Sequence, residues 1–227
     1  MQNSGITSRL SPNKKRFLAE VIGTFVVVVF VTGSIVLDAK YHGTFGLWFI
    51  ALAPAVAVAS MVYAFRKISM AHFNPAVTVG FLITKHTPKN LFVLYIAAEI
   101  IGAILGSMFV KYVIGINADL GANAPNYHFS IPIIIGVEVL ATALLMAVIM
   151  LVIHTKGLRG FGGIVIGVMV ALDIFFLAFI SGASMNPARS LAPAVVSGYL
   201  NDLWLYLTAP FIGSTIISVI YRKKFVK

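Results

Sequence analysis

Long apolar runs separated by short polar connections make up most of the chain. Six of them are each close to the roughly 20 residues that a membrane-spanning helix needs. They cover residues 17–37, 45–65, 91–114, 131–153, 161–180 and 203–221. This pattern predicts an all-α membrane protein with six transmembrane helices.

Two shorter apolar stretches each follow an Asn-Pro-Ala tripeptide. The copies are Asn74-Pro75-Ala76 and Asn186-Pro187-Ala188. Asn is a favoured N-cap, and Pro suits the first helical position because its missing N–H would have no intrahelical partner there. About ten apolar residues make a helix of roughly 15 Å, half of the roughly 30 Å hydrocarbon core of a bilayer. We therefore predict two half-helices.

The two halves of the chain repeat each other. The segment Glu20-Val21-Ile22-Gly23-Thr24 is echoed by Glu138-Val139-Leu140-Ala141-Thr142, and Ala98-Glu99-Ile100-Ile101-Gly102 is echoed by Ala209-Pro210-Phe211-Ile212-Gly213. Asn74 and Asn186 lie 112 residues apart. Because each half holds three spans, the second half enters the membrane from the opposite side, which predicts an inverted internal repeat. The half-helices then dip in from opposite faces, and their N-termini meet near the middle of the membrane.

Composition indicates that the chain lies in a membrane, and the positions of the charged residues predict its orientation there. The chain is 59% hydrophobic and 11% charged, with a mean hydropathy of +0.97, far more apolar than a soluble domain. Its net charge of +10 is located at the ends of the apolar runs. The positive-inside rule therefore puts both termini in the cytoplasm, and contact with anionic membrane lipids accounts for the charge without nucleic acid. The basic residues on that side are Arg9, Lys14, Lys15, Arg16, Arg66, Lys67, Lys85, Lys89, Lys156, Arg159, Arg222, Lys223, Lys224 and Lys227.

We expect one channel domain over residues 1–227. Its parts are a cytoplasmic N-terminal tail (1–16), a first repeat (17–114), a second repeat (131–222) and a cytoplasmic C-terminal tail (223–227), with the connection 115–130 outside the cell. A signal peptide is excluded because the first apolar run is too long and no small-residue cleavage site follows it. The lack of Cys excludes a disulfide framework, a thiolate metal site and a thiol nucleophile.

The segments before the two Asn residues, 69–73 and 181–185, are predicted to be non-helical. Such backbone is tolerated at membrane depth only inside protein or along a watery cavity. Two helix N-termini aimed at one spot each contribute roughly half a positive charge there, which repels cations and protons. Free carbonyls would accept, and the Asn side-chain amides would donate, hydrogen bonds. Small uncharged polar molecules are the expected cargo.

Together these features resemble the aquaporin (major intrinsic protein) family over essentially all of residues 17–222. The resemblance rests on the paired Asn-Pro-Ala motifs, on Arg189 after the second copy, on the repeated Glu in spans one and four, and on Pro210-Phe211-Ile212-Gly213 in span six. It implies an aquaporin-like hourglass fold with two re-entrant half-helices. It also implies passive transport of water or small neutral solutes without a cofactor, by a homotetramer in the plasma membrane.

The resemblance also assigns roles to residues. It puts Arg189 in the extracellular constriction, donating hydrogen bonds to the solute and repelling cations. Glu20 and Glu138 suggest a proton relay, but the resemblance implies that they accept hydrogen bonds from the re-entrant loops. His72 is expected to orient a loop or line the pore, because no second metal ligand lies at a usable spacing. The implied pore centre is Asn74, Pro75, Ala76, Asn186, Pro187 and Ala188.

The remaining filter positions of the family map onto Pro54, Ile174 and Ala183. A water-selective member would have an aromatic ring at the first and His at the second. With an aliphatic side chain in place of the imidazole, we expect a wider and more apolar opening that passes glycerol-like polyols and boric or arsenous acid. Pro54 also removes the hydrogen-bond donor for the carbonyl of Ile50, which predicts a kink in the second span.

Several alternatives stay open. Ser190, Ala194 and Tyr206 resemble the water-transporting branch of the family, so strict water selectivity is the second hypothesis. Asp173 either makes a structural hydrogen bond or tunes Arg189 and the extracellular vestibule.

Other classes of protein are less favoured. A secondary transporter also uses inverted repeats and broken helices, but it would show coupling-ion residues at mid-membrane. A membrane enzyme would need a metal constellation or a nucleophile motif, which the sequence lacks. A junctional role would be separated from transport by a flux assay.

Overall fold

The computed structural model describes residues 10–158 and 160–226. Within that part, six helical segments are long and apolar enough to cross a membrane: Pro12–Lys40, Gly46–Phe65, Lys89–Ile114, Ile131–His154, Gly162–Ser181 and Leu203–Phe225. The six predicted spans are confirmed. Arg9, Arg159 and Lys227, on which the predicted orientation partly depends, lie outside the described residues.

The elements in chain order are α1 (Pro12–Lys40), α2 (Gly46–Phe65), α3 (Pro75–Ile83), α4 (Phe92–Phe109), α5 (Asn117–Gly121), α6 (Ile131–His154), α7 (Gly162–Ser181), α8 (Pro187–Ser197), α9 (Leu203–Tyr206) and α10 (Ala209–Phe225). The two predicted half-helices are α3 with 9 residues and α8 with 11. The short element α5 is left-handed at residues 118–120 and is not a regular α-helix. Turns of 3-10 helix, Lys89–Leu91 and Lys156–Leu158, precede α4 and α7, and a π-helical turn, Val110–Ile114, extends α4.

Both terminal helices extend into the stretches expected to be tails. The first helix begins at Pro12 because Ser11 caps it, accepting a hydrogen bond from the Lys14 backbone N–H at 3.4 Å, and proline fills the first helical position. The last helix continues to Phe225, inside the expected tail 223–227. The second span behaves differently, because α2 runs through Pro54 without ending there.

The internal repeat is visible in the way that the spans pack. In the first half α1 packs on α4 at Gly102, where a Cβ atom would lie 2.4 Å from the carbonyl oxygen of Val21. In the second half α6 packs on α10 at Gly213, where a Cβ atom would lie 2.2 Å from the carbonyl oxygen of Val139. The two valines hold the same place in the repeated segment, so the two halves share one packing geometry.

Each half-helix is held by the last span of the opposite half. The half-helix α3 packs on α10, where the Ser214 hydroxyl donates a hydrogen bond to the carbonyl of Ala76 at 2.6 Å. The half-helix α8 packs Ala188 and Ala192 against Ala103 of α4. This exchange brings the two motifs together between the halves.

Candidate functional site

The two Asn side chains cap the half-helices. The side-chain oxygen of Asn74 accepts a hydrogen bond from the Ala76 N–H at 2.9 Å. The oxygen of Asn186 accepts from the N–H groups of Ala188 and Arg189 at 3.0 and 3.3 Å. Both residues have extended backbone, as expected at an N-cap. Each amide group is thereby fixed with its NH₂ directed away from its own helix.

The two tips also contact each other. Asn74 Nδ2 donates a hydrogen bond to the carbonyl of Met185 at 2.8 Å, and Asn186 Nδ2 donates to the carbonyl of Phe73 at 2.9 Å. The half-helices therefore meet tip to tip in a reciprocal arrangement. Since an amide nitrogen carries two hydrogens, each Asn keeps one N–H for another acceptor.

Buried carboxylates hold the segments before the motifs. Glu20 accepts hydrogen bonds from the backbone N–H groups of His72 at 3.1 Å and Phe73 at 2.7 Å, and from the side chain of Ser69. The same arrangement is found in the second half around Glu138, whose donors lie 112 residues after those of Glu20. Its partners are the N–H groups of Ser184 at 3.1 Å and Met185 at 2.6 Å and the Ser181 hydroxyl at 2.9 Å. Each carboxylate thus anchors three donors of one re-entrant segment.

His72 belongs to a hydrogen-bonded chain of fully or nearly fully buried groups. Thr78 donates its hydroxyl hydrogen to Glu99 at 2.5 Å, so it accepts from His72 Nδ1 at 2.8 Å, and His72 Nε2 then accepts from Thr87 at 3.2 Å. This assigns the imidazole as neutral with the proton on Nδ1. Sequence reasoning noted Glu99 only as part of a repeat, although an acid inside an apolar run was a usable signal.

One cavity of about 750 Å³ runs beside both motifs. Its lining includes both ends of α7, from Gly162 to Gly182 just after its last residue. Because 20 helical residues rise about 30 Å, the cavity is as long as the hydrocarbon core of a bilayer. Arg66 and Lys67 line one end, and Asn123 and Ala124 line the other.

Most of the residues assigned to the pore by sequence line this cavity: His72, Asn74, Ile174, Ala183, Asn186 and Arg189. Pro54 is an exception among the described residues. It is buried on the face of α2 between Ile50 and Val58, which both line the cavity, but it does not line it itself. Pro75, Ala76, Pro187 and Ala188 of the motifs are buried at the starts of α3 and α8 and do not line the cavity either.

The re-entrant segments offer the cavity fewer carbonyls than expected. The Phe73 and Met185 carbonyls accept from the opposite Asn side chains, and those of Ser69 and Ser181 accept from Tyr95 and Tyr206 at 2.8 and 2.5 Å, respectively. Gly182 accepts from Asn123 at 3.0 Å. In the described part of the chain this leaves the carbonyls of residues 70–72 and 183–184 as candidate acceptors.

Arg189 is 5% exposed and lines the cavity near its Asn123 end. Its Nη1 group donates hydrogen bonds to the carbonyl of Gly121 at 3.2 Å and to the side-chain oxygen of Asn123. Both acceptors belong to the connection 115–130, which sequence reasoning treated only as a polar extracellular segment. The guanidinium is therefore both partnered and exposed to the cavity.

The connection 115–130 is also fixed near the surface. The phenols of Tyr127 and Tyr199 both donate hydrogen bonds to the buried carboxylate of Asp202, the second at 3.0 Å. This hydrogen bonding raises the pKa of each phenol above its usual value. Both tyrosines therefore stay protonated donors at neutral pH.

Asp173 lies next to Ile174 on α7 and is 1% exposed. Within the described residues, neither of its carboxylate oxygens has a hydrogen-bond partner. The simple structural hydrogen bond considered from sequence is therefore not formed. The residues described include no group of three His, Cys, Asp or Glu side chains that could hold a metal ion.

Comparisons with known proteins agree with this geometry. A family model described as Major intrinsic protein matches residues 7–221. Aquaporin AqpM of Methanothermobacter marburgensis is 37% identical over 241 aligned residues, which cover 92% of this chain and 96% of that protein. The probable aquaporin NIP7-1 of Arabidopsis thaliana is 36% identical over 208 residues, which cover 90% of this chain and 74% of the relative.

The fold is matched by the X-ray structure of the aquaglyceroporin from Plasmodium falciparum, with a TM-score of 0.83. The match covers 94% of this chain and 97% of that chain, at 22% sequence identity. The likeness confirms the predicted all-helical arrangement of six spans and two half-helices.

Proposed function

We infer that this chain, which belongs to the major intrinsic protein family, conducts water and small neutral solutes passively through a wide, apolar filter that contains Arg189. The chain is an integral membrane channel of the aquaporin type and not an enzyme. The observation that carries the proposal is the pair of capped half-helices, joined tip to tip by Asn74 and Asn186 beside a cavity that spans the membrane thickness.

The centre of this cavity suits neutral polar molecules. Asn74 and Asn186 each keep one N–H, while the carbonyls of residues 70–72 and 183–184 supply acceptors on either side. Two helix N-termini add positive potential at the same place, which disfavours cations and protons. A molecule that both donates and accepts hydrogen bonds would therefore pass with little loss of hydration energy, and an ion would not.

The constriction is proposed to lie at Ile174, Ala183 and Arg189, with Pro54 beside it on α2, between the cavity-lining residues Ile50 and Val58. Ile174 and Ala183 contribute alkyl groups to the cavity wall, so most of the ring offers no hydrogen bond. Apolar walls lower the cost of removing water from the carbon skeleton of a polyol. We therefore propose glycerol-like polyols, and boric or arsenous acid, as solutes in addition to water.

Glu20, Glu138 and His72 are proposed to support the pore loops rather than to carry protons. All three bind backbone or hydroxyl groups of the re-entrant segments or of α3. Asp173 is proposed to tune the filter. A buried carboxyl without a hydrogen-bond partner lowers stability, so a purely structural role does not explain its presence beside Ile174.

The assembly and its setting are part of the same proposal. We propose a homotetramer in the plasma membrane, with lipid contacts at the basic helix ends and with both termini in the cytoplasm. The family resemblance supports the tetramer, and the positive-inside rule supports the orientation.

Stopped-flow light scattering on proteoliposomes tests the channel and its filter together. We expect water and glycerol permeabilities above those of empty vesicles, with no increase in proton leak. A matched variant, Ile174→His, places an imidazole in the ring and should lower glycerol permeability while keeping water permeability. Glycerol permeability equal to that of empty vesicles, with water permeability raised, would instead establish strict water selectivity. Flux that depends on an ion gradient would identify a secondary transporter.

A further inference from the structure

The connection 115–130 descends into the bundle instead of crossing its surface. It carries a left-handed turn at residues 118–120, with φ of 47°, 48° and 57°, a conformation that costs non-glycine residues energy. Leu120 compensates by burying its side chain to 1% exposure against Val36 and Val110. Gly121 then passes Thr32 so closely that a Cβ atom would lie 3.0 Å from the Thr32 Cα. These contacts carry the next residues to Arg189.

Asn123 lies at the end of this buried segment, and both acceptor sites of its side-chain oxygen are occupied. Its oxygen accepts from Arg189 Nη1 and from the Ser190 hydroxyl at 2.6 Å, and its Nδ2 donates to the carbonyl of Gly182 at 3.0 Å. The side chain is 7% exposed and lines the cavity. A carboxamide has two acceptor sites and two donor hydrogens, so one N–H is left over for the cavity.

The internal repeat explains why a loop residue is needed there. In the first half, the hydroxyl of Thr78 on α3 donates to Glu99 of α4. Ser190 holds the equivalent place on α8, but the residue equivalent to Glu99 is Pro210, which has no acceptor side chain. Asn123 supplies the missing oxygen from outside the repeat. Its amide is neutral, so the guanidinium of Arg189 gains an acceptor without gaining a counter-charge.

We propose that Asn123 is a further specificity-determining residue of the filter, which positions Arg189 and presents its free amide N–H to the solute beside the guanidinium. The inference rests on the proposed channel function. The Asn123 amide and the Arg189 guanidinium donate from the same side of the filter, so they favour solutes that present an acceptor oxygen. Because the amide is neutral, it preserves the positive charge of Arg189 that excludes cations.

Asn126 provides a matched control. It lies on the same connection and also ties it to the end of α7, donating its amide to the carbonyl of Phe179 at 3.1 Å. It does not line the cavity in the described part of the chain. Replacing either Asn by Ala therefore removes one anchor of the loop, but only Asn123→Ala changes the environment of Arg189.

The test is the ratio of glycerol to water permeability in proteoliposomes. Loss of a hydrogen bond to a charged group should change the ratio about tenfold in Asn123→Ala, whereas Asn126→Ala should change it by less than about twofold. Equal changes in the two variants, or none in either, would overturn the proposal. Absence of flux in the unmodified protein would instead refute the channel itself.

A second pair of variants, in which each Asn is replaced by Asp, tests the proposal if Asn123→Ala does not fold. Asn123→Asp keeps the two bonds accepted from Arg189 and Ser190 but loses the bond donated to the Gly182 carbonyl. Its carboxylate neutralises Arg189 and should raise cation leak. Asn126→Asp puts the same charge on the same loop and should leave the leak at the level of the unmodified protein. A leak that is equal in the two Asp variants would contradict the assignment.

Discussion

A buried carboxylate accepts three hydrogen bonds from each re-entrant segment, and it can hold the segment because it has acceptors and no donor. Around Glu138 the partners are the hydroxyl of Ser181 and the backbone N–H groups of Ser184 and Met185. All three are donors, so any donor at the carboxylate position would leave N–H facing N–H. Residue identity, and not only polarity, therefore fixes the path of the loop.

Replacing Glu138 by Gln should lower stability because the new NH₂ group faces donors already in place. We expect a loss of about 1–3 kcal/mol for each buried group left unsatisfied, seen as a lower melting temperature of the detergent-solubilised protein. Glu20→Gln should behave similarly, since its partners are equivalent. Leu140→Val, at an exposed position of α6, is the control and should melt close to the unmodified protein. Unchanged melting of both Gln variants would contradict the loop-support role.

Asp173→Asn tests the buried carboxyl on α7, which has no hydrogen-bond partner among the described residues. Asn keeps the shape of the side chain and removes any need to bury a charge, so folding should be retained or improved. If Asp173 tunes the filter, the glycerol-to-water permeability ratio should change. The control is Leu172→Ala, the adjacent but exposed position on α7. Asn at position 173 with an unchanged permeability ratio would remove the functional role and leave the carboxyl as an unexplained feature of the core.

At the scale of helices, local sequence signals predicted what is local. Apolar length gave the six spans, and the Asn-Pro caps gave the starts of α3 and α8, because caps and periodicity act within a few residues. The hydrogen bonds that the side-chain amides of Asn74 and Asn123 donate to Met185 and Gly182 join residues 111 and 59 positions apart. No local sequence pattern predicts such contacts. Pro54 was assigned by mapping a filter position of the family onto the chain, and such a mapping does not tell whether a side chain reaches the cavity.

The repeated glycine contacts predict that two distant helix pairs respond alike. A methyl group at Gly102 or Gly213 would collide with backbone rather than with a movable side chain. We expect Gly102→Ala and Gly213→Ala each to destabilise the protein by about 1–3 kcal/mol. Gly136→Ala on α6 is the control, because a Cβ there meets nothing within 4 Å and improves helix propensity by about 1 kcal/mol. Melting temperatures of the three variants measure the effect, and equal shifts in all three would refute the close-packing argument.

At the scale of the molecule, the exchange of half-helices makes the two repeats one unit. The half-helix α3 depends on α10, and α8 depends on α4, so neither repeat encloses a pore alone. An arrangement of this kind requires that the second half cross the membrane in the opposite sense to the first. The direction of every span then follows from the side on which any one connection lies.

The absence of Cys from the sequence makes that direction directly measurable. His128 precedes α6 and Lys156 follows it, and both are exposed, so single cysteines at these positions lie on opposite sides of one span. A membrane-impermeant maleimide applied to intact cells should label His128→Cys at once and Lys156→Cys only after permeabilisation, because the positive-inside rule predicts that the basic connections face the cytoplasm. The unmodified chain should not react. Labelling of both variants from outside would refute α6 as a span, whereas the reverse pattern would invert the orientation and leave the fold intact.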